Sequence, residues 1–178
     1  MDKADIILLT HTHYDHTSTK DIAKIQKNTT QFVTTADSEI EENIHVMNPG
    51  DEKRIGDVGV EAVPAYNTDK NFHNKSKEWN GYIVTIEGKR VYHAGDTDFI
   101  PEMSRIVCDI ALLPVSGTYV MTAEQAAEAA RKIKPKLAIP MHYGSIVGSE
   151  ADANTFKEKA EKAGIKVKVL KKNEAIEI

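Results

Sequence analysis

The chain has 178 residues, of which 40% are hydrophobic and 28% charged, enough apolar material for a packed core and too little bias for global disorder. That length fits one domain over residues 1–178. With 23 basic and 27 acidic residues the net charge is −4, the wrong balance for gripping a phosphate backbone, so no nucleic-acid partner is expected.

In chain order, Ala4 to Thr10 is continuously apolar through Ile6-Ile7-Leu8-Leu9 and predicts a strand covered on both faces. Asp21 to Lys27 carries partial helical spacing, and Phe32 to Thr35 predicts the next strand. Val58 to Val63, Gly81 to Ile86 and Arg90 to Tyr92 concentrate β-branched and aromatic residues, with Glu87-Gly88-Lys89 as a turn between the last two. Cys108 to Leu113 predicts a buried strand. Thr122-Ala123-Glu124-Gln125 offers a capping box for a helix that ends near Lys134, before Pro135. Leu137 to Met141 is the next strand, Ser149 caps a helix to Ala163 ended by Gly164, and Lys166 to Leu170 alternates as a lysine-rich edge strand. The mixture predicts a layered α/β fold.

No run approaches the ~20 apolar residues of a membrane span. The opening Met1 to Asp5 lacks the pattern of a secretory signal, so a cytoplasmic location without a membrane partner is expected. Cys108 is the single cysteine, which excludes an internal disulfide and a multi-cysteine zinc site. It lies in the apolar run Ile106 to Ile110 and reads as core.

Seven histidines are present, and three fall within His11-Thr12-His13-Tyr14-Asp15-His16, directly after the first strand. On an extended strand exit His11 and His13 point to the same side, so both imidazoles can meet one metal ion. A turn toward a helix near Thr17 carries Asp15 and His16 round the corner, where they could face a second ion. The alternative, ordinary polar residues in a loop with Asp15 or Thr17 as a cap, suits a lone histidine better than this concentration. One loop cannot close such sites. Asp96, in Ala94-Gly95-Asp96-Thr97, and His142, in Pro140-Met141-His142-Tyr143, each follow a strand end, and strand ends share a rim in layered α/β folds.

These three segments resemble signature motifs of the metallo-β-lactamase superfamily and, within it, the small metal-dependent hydrolases that include ascorbate-6-phosphate lactonase-like proteins. The resemblance runs in order along the whole chain. It implies an αββα sandwich of two mixed sheets between helices. It implies that His11 and His13 bind one metal, that Asp15 and His16 bind the other, that Asp96 bridges them and that His142 completes the second. The remaining histidine ligand lies between the first motif and Asp96, leaving His45, His73 and His93. His73 is preferred because it follows a strand in the polar loop from Ala65, whereas His45 sits before Pro49-Gly50-Asp51 in a peripheral turn. His93, three residues before Asp96, is the rival.

The resemblance further implies a hydrolase in which a hydroxide shared by two divalent ions cleaves a small ester, lactone or phosphodiester, the ions being zinc by default, with manganese or iron as alternatives. Asp15 would orient the hydroxide or take its proton, and His142 or a metal-bound water would assist the leaving group. Around His73, Tyr66, Asn67, Lys70 and Lys75 are candidates for holding an anionic small-molecule substrate, as are Tyr143 and Ser145 beside His142. Trp79 would anchor the following strand or wall a pocket.

Departures from relatives refine the expectation. A flavodiiron site carries Glu where His13 stands, and true β-lactamases lack the bridging aspartate, so oxygen reduction and antibiotic hydrolysis are both disfavoured. A nuclease would need an inserted clamp domain. The superfamily places a block of strands before the first histidine motif, which begins here at residue 11, so the first sheet is expected to be shortened at its N-terminus. A partner or a second copy could complete it, and the alternative function is a non-catalytic or partner-dependent metal-binding fragment.

Overall fold

A computed structural model describes residues 2–177. Nine strands, three α-helices and two short 3-10 turns are found among the described residues. Ile6–Leu8 (β1), Gln31–Thr34 (β2) and Ile44–Val46 (β3) form a parallel three-stranded sheet in that order. Glu52–Ile55 (β4), Val58–Pro64 (β5), Asn80–Ile86 (β6), Lys89–His93 (β7), Ile110–Pro114 (β8) and Leu137–Met141 (β9) form a six-stranded sheet, also in sequence order. Its first four strands are antiparallel and its last pairings parallel. The β6–β7 hairpin turns on Glu87 and Gly88, both at positive φ (49° and 76°), as a two-residue turn matched to strand twist requires.

Three helices complete the layers. Thr19–Ile25 (α1) is capped by Ser18, whose side chain accepts from the Asp21 amide. Ala123–Ile133 (α2) opens on the expected Thr122/Gln125 capping box, and Glu150–Lys162 (α3) opens at Ser149. Ile22 of α1 packs with Ile7, Leu9 and Phe32 on the outer face of the small sheet. Val33, Met47, Val60, Ala62 and Tyr82 fill the seam between the sheets. The largest core joins the outer face of the large sheet to α2 and α3 through Tyr92, Leu113, Ala126, Ala130 and Phe156. Each layer buries one apolar face against the next, which gives the expected αββα order.

Several elements differ from the sequence expectation. The first helix starts at Thr19 rather than Asp21. β3 and β4 were not anticipated; each is the edge of its sheet and mostly exposed, so neither carries an apolar pattern. Lys166 to Leu170 forms no strand. It makes one parallel bridge, Val167 with Ala138, because only Ile165 and Val167 are buried and Lys168 turns away to pair with Glu174 at 2.6 Å. Cys108 is half-buried against the main core, and burial pushes its thiol up to about 12. No helix among the described residues is long and apolar enough to cross a membrane.

Candidate metal centre

The C-terminal ends of β1, β2, β5, β7, β8 and β9 deliver the polar groups of interest to one rim. Beyond β1 the chain coils: the His16 and Thr17 amides both donate to the His13 carbonyl at 2.9 Å, and the Thr17 hydroxyl donates to the His11 carbonyl at 2.6 Å. The coil brings the His16 ring to 4.1 Å from that of His11, centroid to centroid, with His13 at 4.8 Å.

The loop after β5 folds His73 into the same space. The Asn67 amide donates to the His73 carbonyl at 2.7 Å, and the His73 amide donates to Asn67 Oδ1 at 2.9 Å. The His73 ring then stands 5.1 Å from His11 and 4.9 Å from His13. After β7, Gly95 turns at a φ of 66°, and a Cβ there would meet the Asn80 carbonyl oxygen at 2.8 Å, so only glycine turns the chain inward to place Asp96. After β9, His142 occupies the left-handed region (φ 59°), uncommon for a non-glycine residue and a form of strain concentrated at functional positions. Pro140 is accommodated because β9 is the sheet edge.

Three groups of ligand atoms result, each within 4.8 Å of one another: His11, His13 and His73; His11, His16 and Asp96; and Asp15, His16 and His142. Asp96 sits among them. Its Oδ2 lies 3.4 Å from His73 Nε2 and 3.2 Å from His142 Nε2, and its Oδ1 lies 3.5 Å from His16 Nε2. His93 belongs to no group; its Nδ1 accepts from the Gly95 amide at 3.2 Å and so supports the turn that places Asp96. His45 lies on β3, paired with Gln31 at 3.0 Å. Of the three candidate histidines, the fold therefore brings His73 to His11 and His13.

The far side of three imidazoles is held by neighbours. Thr10 Oγ1 lies 2.9 Å from His11 Nδ1, Asn67 Oδ1 3.2 Å from His73 Nδ1, and Ser116 Oγ 3.1 Å from His142 Nδ1. Because Asn67 Oδ1 can only accept, His73 Nδ1 is the donor of that contact, which turns Nε2 toward the metal groups. His11 Nε2, His73 Nε2 and Asp96 Oδ1 are buried without a hydrogen-bond partner. Leaving such atoms unpaired is costly, and a cation is the natural complement to nitrogen lone pairs beside a carboxylate. The donor set thus fits divalent metal, with orienting partners behind the histidines as metal sites commonly have.

Electrostatics favour the same state. Burial, then the neighbouring His16, lowers His11 to about 2, and burial also lowers His13 and His16, so these rings are neutral near pH 7. For Asp96 burial acts upward, but the contacts with His142 and His73 outweigh it and hold the carboxyl well below its usual range. For His142 burial acts downward, and the Asp96 contact outweighs it and raises the ring's proton affinity.

The candidate substrate residues fare differently. Lys70 Nζ donates to Asp98 at 2.6 Å and to Asp69 at 2.9 Å, and Lys75 Nζ donates to Glu102 at 3.1 Å and to the Tyr66 hydroxyl at 3.2 Å. Tyr66 is buried and donates to Glu102 at 2.9 Å, and Asn67 serves His73; these side chains are committed to internal contacts. Tyr143 packs partly against the core and Ser145 is exposed. Sequence reasoning missed Thr10, Ser116 and Asp37, the last of which accepts from the Trp79 indole nitrogen at 3.0 Å. Their shared signal is position, each lying just past the C-terminal end of a parallel strand.

Comparison with known proteins identifies the family. The model of the beta-lactamase superfamily domain matches residues 1–143. A UPF0173 metal-dependent hydrolase of Thermoplasma acidophilum is 38% identical, over 99% of this chain and 82% of that protein. A crystal structure of a candidate metal-dependent hydrolase from Parabacteroides distasonis superposes with a TM-score of 0.85 at 40% identity, covering 95% of this chain and 77% of that one. The structure of a metallo hydrolase from Ignicoccus hospitalis follows, with a TM-score of 0.79 at 29% identity over 98% and 79%. The chain belongs to the metallo-β-lactamase superfamily and, within it, to the UPF0173 metal-dependent hydrolases.

Proposed function

We propose that this protein is a hydrolase that holds two divalent ions, zinc by default with manganese or iron as alternatives, and cleaves a small ester, lactone or phosphodiester. In this reading His11, His13 and His73 would hold one ion and Asp15, His16 and His142 the other, with Asp96 a ligand available to both. The observation that carries it is the convergence of three buried, unpartnered atoms, His11 Nε2, His73 Nε2 and Asp96 Oδ1, on one space.

When bound, such ions bring the pKa of a shared water toward neutrality and polarise a carbonyl or phosphoryl oxygen. The chain's own residues prepare for this. Thr10, Asn67 and Ser116 fix the ring planes, and burial keeps His11, His13 and His16 neutral, so no proton need be displaced from them near pH 7. Asp15, partly open to solvent, would take a proton during attack, and His142, held through Nδ1 by Ser116, would assist the departing group.

The test is elemental analysis of the chain purified without chelator, followed by hydrolysis assays on lactones, esters and phosphodiesters. About two ions per chain are expected, with activity lost on chelation and regained on reloading. A folded chain that takes up no metal would overturn the reading.

A further inference from the structure

Resting on that reading of the site as a hydrolytic metal centre, the rim around it indicates which substrate it takes. Seven large hydrophobic side chains stand exposed among the described residues, and three flank the metal groups: Tyr14 at 77%, Phe72 at 50% and Ile146 at 57%. Tyr14 lies between His13 and Asp15, Phe72 directly precedes His73, and Ile146 follows His142 by four residues. Exposed apolar groups beside polar ligands offer a surface that a ligand can cover.

Two of the three are fastened to the residues that hold the histidines. Phe72 packs edge-on against Tyr119 with ring centroids 4.6 Å apart, and the Tyr119 carbonyl accepts from Asn67 Nδ2 at 2.9 Å. The same amide orients His73 through its oxygen. Ile146 sits at the tip of a turn closed by the Gly144 amide donating to the Val147 carbonyl at 3.1 Å. The base of that turn, Gly148, approaches Ser116 so closely that a Cβ would meet the Ser116 Cβ at 2.6 Å, and Ser116 orients His142. The apolar groups are therefore held in register with the metal groups on two sides. Two cations of the loop before Trp79 are already occupied, Lys70 by Asp98 and Asp69 and Lys75 by Glu102.

We infer that the substrate is uncharged away from its scissile bond and lays an apolar acyl or aryl group against Tyr14, Phe72 and Ile146. An ester or lactone of an apolar acid or alcohol fits this rim; a phosphorylated lactone or a phosphodiester finds no free lysine at 70 or 75.

Three hydroxamates with one chelating head and different tails test this on the zinc-loaded full chain: acetohydroxamate, 4-phenylbutyrohydroxamate and phosphonoacetohydroxamate, with binding followed by calorimetry. The phenyl compound is expected to bind about tenfold tighter than acetohydroxamate, from burial of its tail. The gain should fall to threefold or less, a rough figure, in Phe72→Ala and in Ile146→Ser, both changes at exposed positions that leave the core intact. The phosphonate should bind no tighter than acetohydroxamate. Equal binding of phenyl and methyl compounds, or tightest binding of the phosphonate, would overturn the inference; the latter would direct attention to Lys77, whose Nζ lies 5.9 Å from the Trp79 ring centroid. A chain that favours the phenyl tail yet hydrolyses no ester sinks the hydrolase reading and supports the tail preference. One that hydrolyses phosphodiesters ahead of neutral esters does the reverse. Failure to load metal overturns both.

Discussion

The Trp79 indole nitrogen donates to an oxygen of Asp37 at 3.0 Å, and that one contact anchors the wall behind three histidines. The Trp79 ring lies 5.0 Å from His11, 4.8 Å from His13 and 5.7 Å from His73, centroid to centroid. Asp37 also accepts from Thr35 at 2.7 Å and Thr12 at 3.3 Å. Burial acts to raise its pKa, but the bonds from Thr35, Trp79 and Thr12 outweigh it, so the acceptor stays charged.

Trp79 is the only tryptophan, so its emission reports on this cluster alone. Titrating the metal-free chain with zinc is expected to change the emission and saturate it as the His11/His13/His73 group fills. Asp37→Ala should weaken that binding about tenfold, the scale typical of lost support behind a ligand. Unchanged emission at full metal loading would contradict the placement.

Removing Asn67 tests the orientation of His73. Asn67→Ala deletes the acceptor for both the His73 amide and Nδ1, and the donor to Tyr119. Metal affinity should fall by about ten- to a hundredfold, while Asn67→Asp, which keeps the acceptor, should lose less. Competition with a colorimetric chelator measures both.

Gly95→Ala puts a methyl group 2.8 Å from the Asn80 carbonyl oxygen on a backbone at positive φ. A loss of about 2–4 kcal/mol is expected from overpacking and strain together. Denaturant unfolding of the metal-free chain should show it, and the altered turn should displace Asp96 and abolish high-affinity metal uptake.

Acid should weaken the metal-free protein well before its carboxylates titrate. His11 falls from 6.5 to about 2 on folding, chiefly through burial, so between those values the unfolded chain binds more protons and stability rises with pH. Below pH 6.5 this residue alone should cost on the order of 1.4 kcal/mol per pH unit. Thermal unfolding of metal-free protein at pH 7 and pH 5.5 should show a clear drop, reduced in His11→Asn.

The sequence made β1, β5, β6, β8 and β9 legible because they are apolar runs, and α2 because Thr122 and Gln125 spell its cap. It hid β3 and β4 because exposed edge strands carry polar residues, as Glu52-Lys53-Arg54 shows. It overstated Lys166 to Leu170, where alternation marks two buried side chains without a second strand to pair along. The first motif was readable because its residues are neighbours in sequence. Choosing His73 over His93 depended on how Asn67 closes a loop, and the contacts of Thr10, Ser116 and Asp37 are made across the fold, where local sequence says nothing of them.

The rim joins two sheets that also meet across the Val33, Met47, Val60, Ala62 and Tyr82 core. His11, His13, Asp15 and His16 extend from the three-stranded sheet, and His73, Asp96 and His142 from the six-stranded one. An ion shared between them is a crosslink in all but covalency. Before loading, β1 to β3 should open and exchange their amide hydrogens independently of the larger sheet; afterwards the two should open together. Metal supply would then govern how long the protein survives proteolysis as directly as it governs turnover.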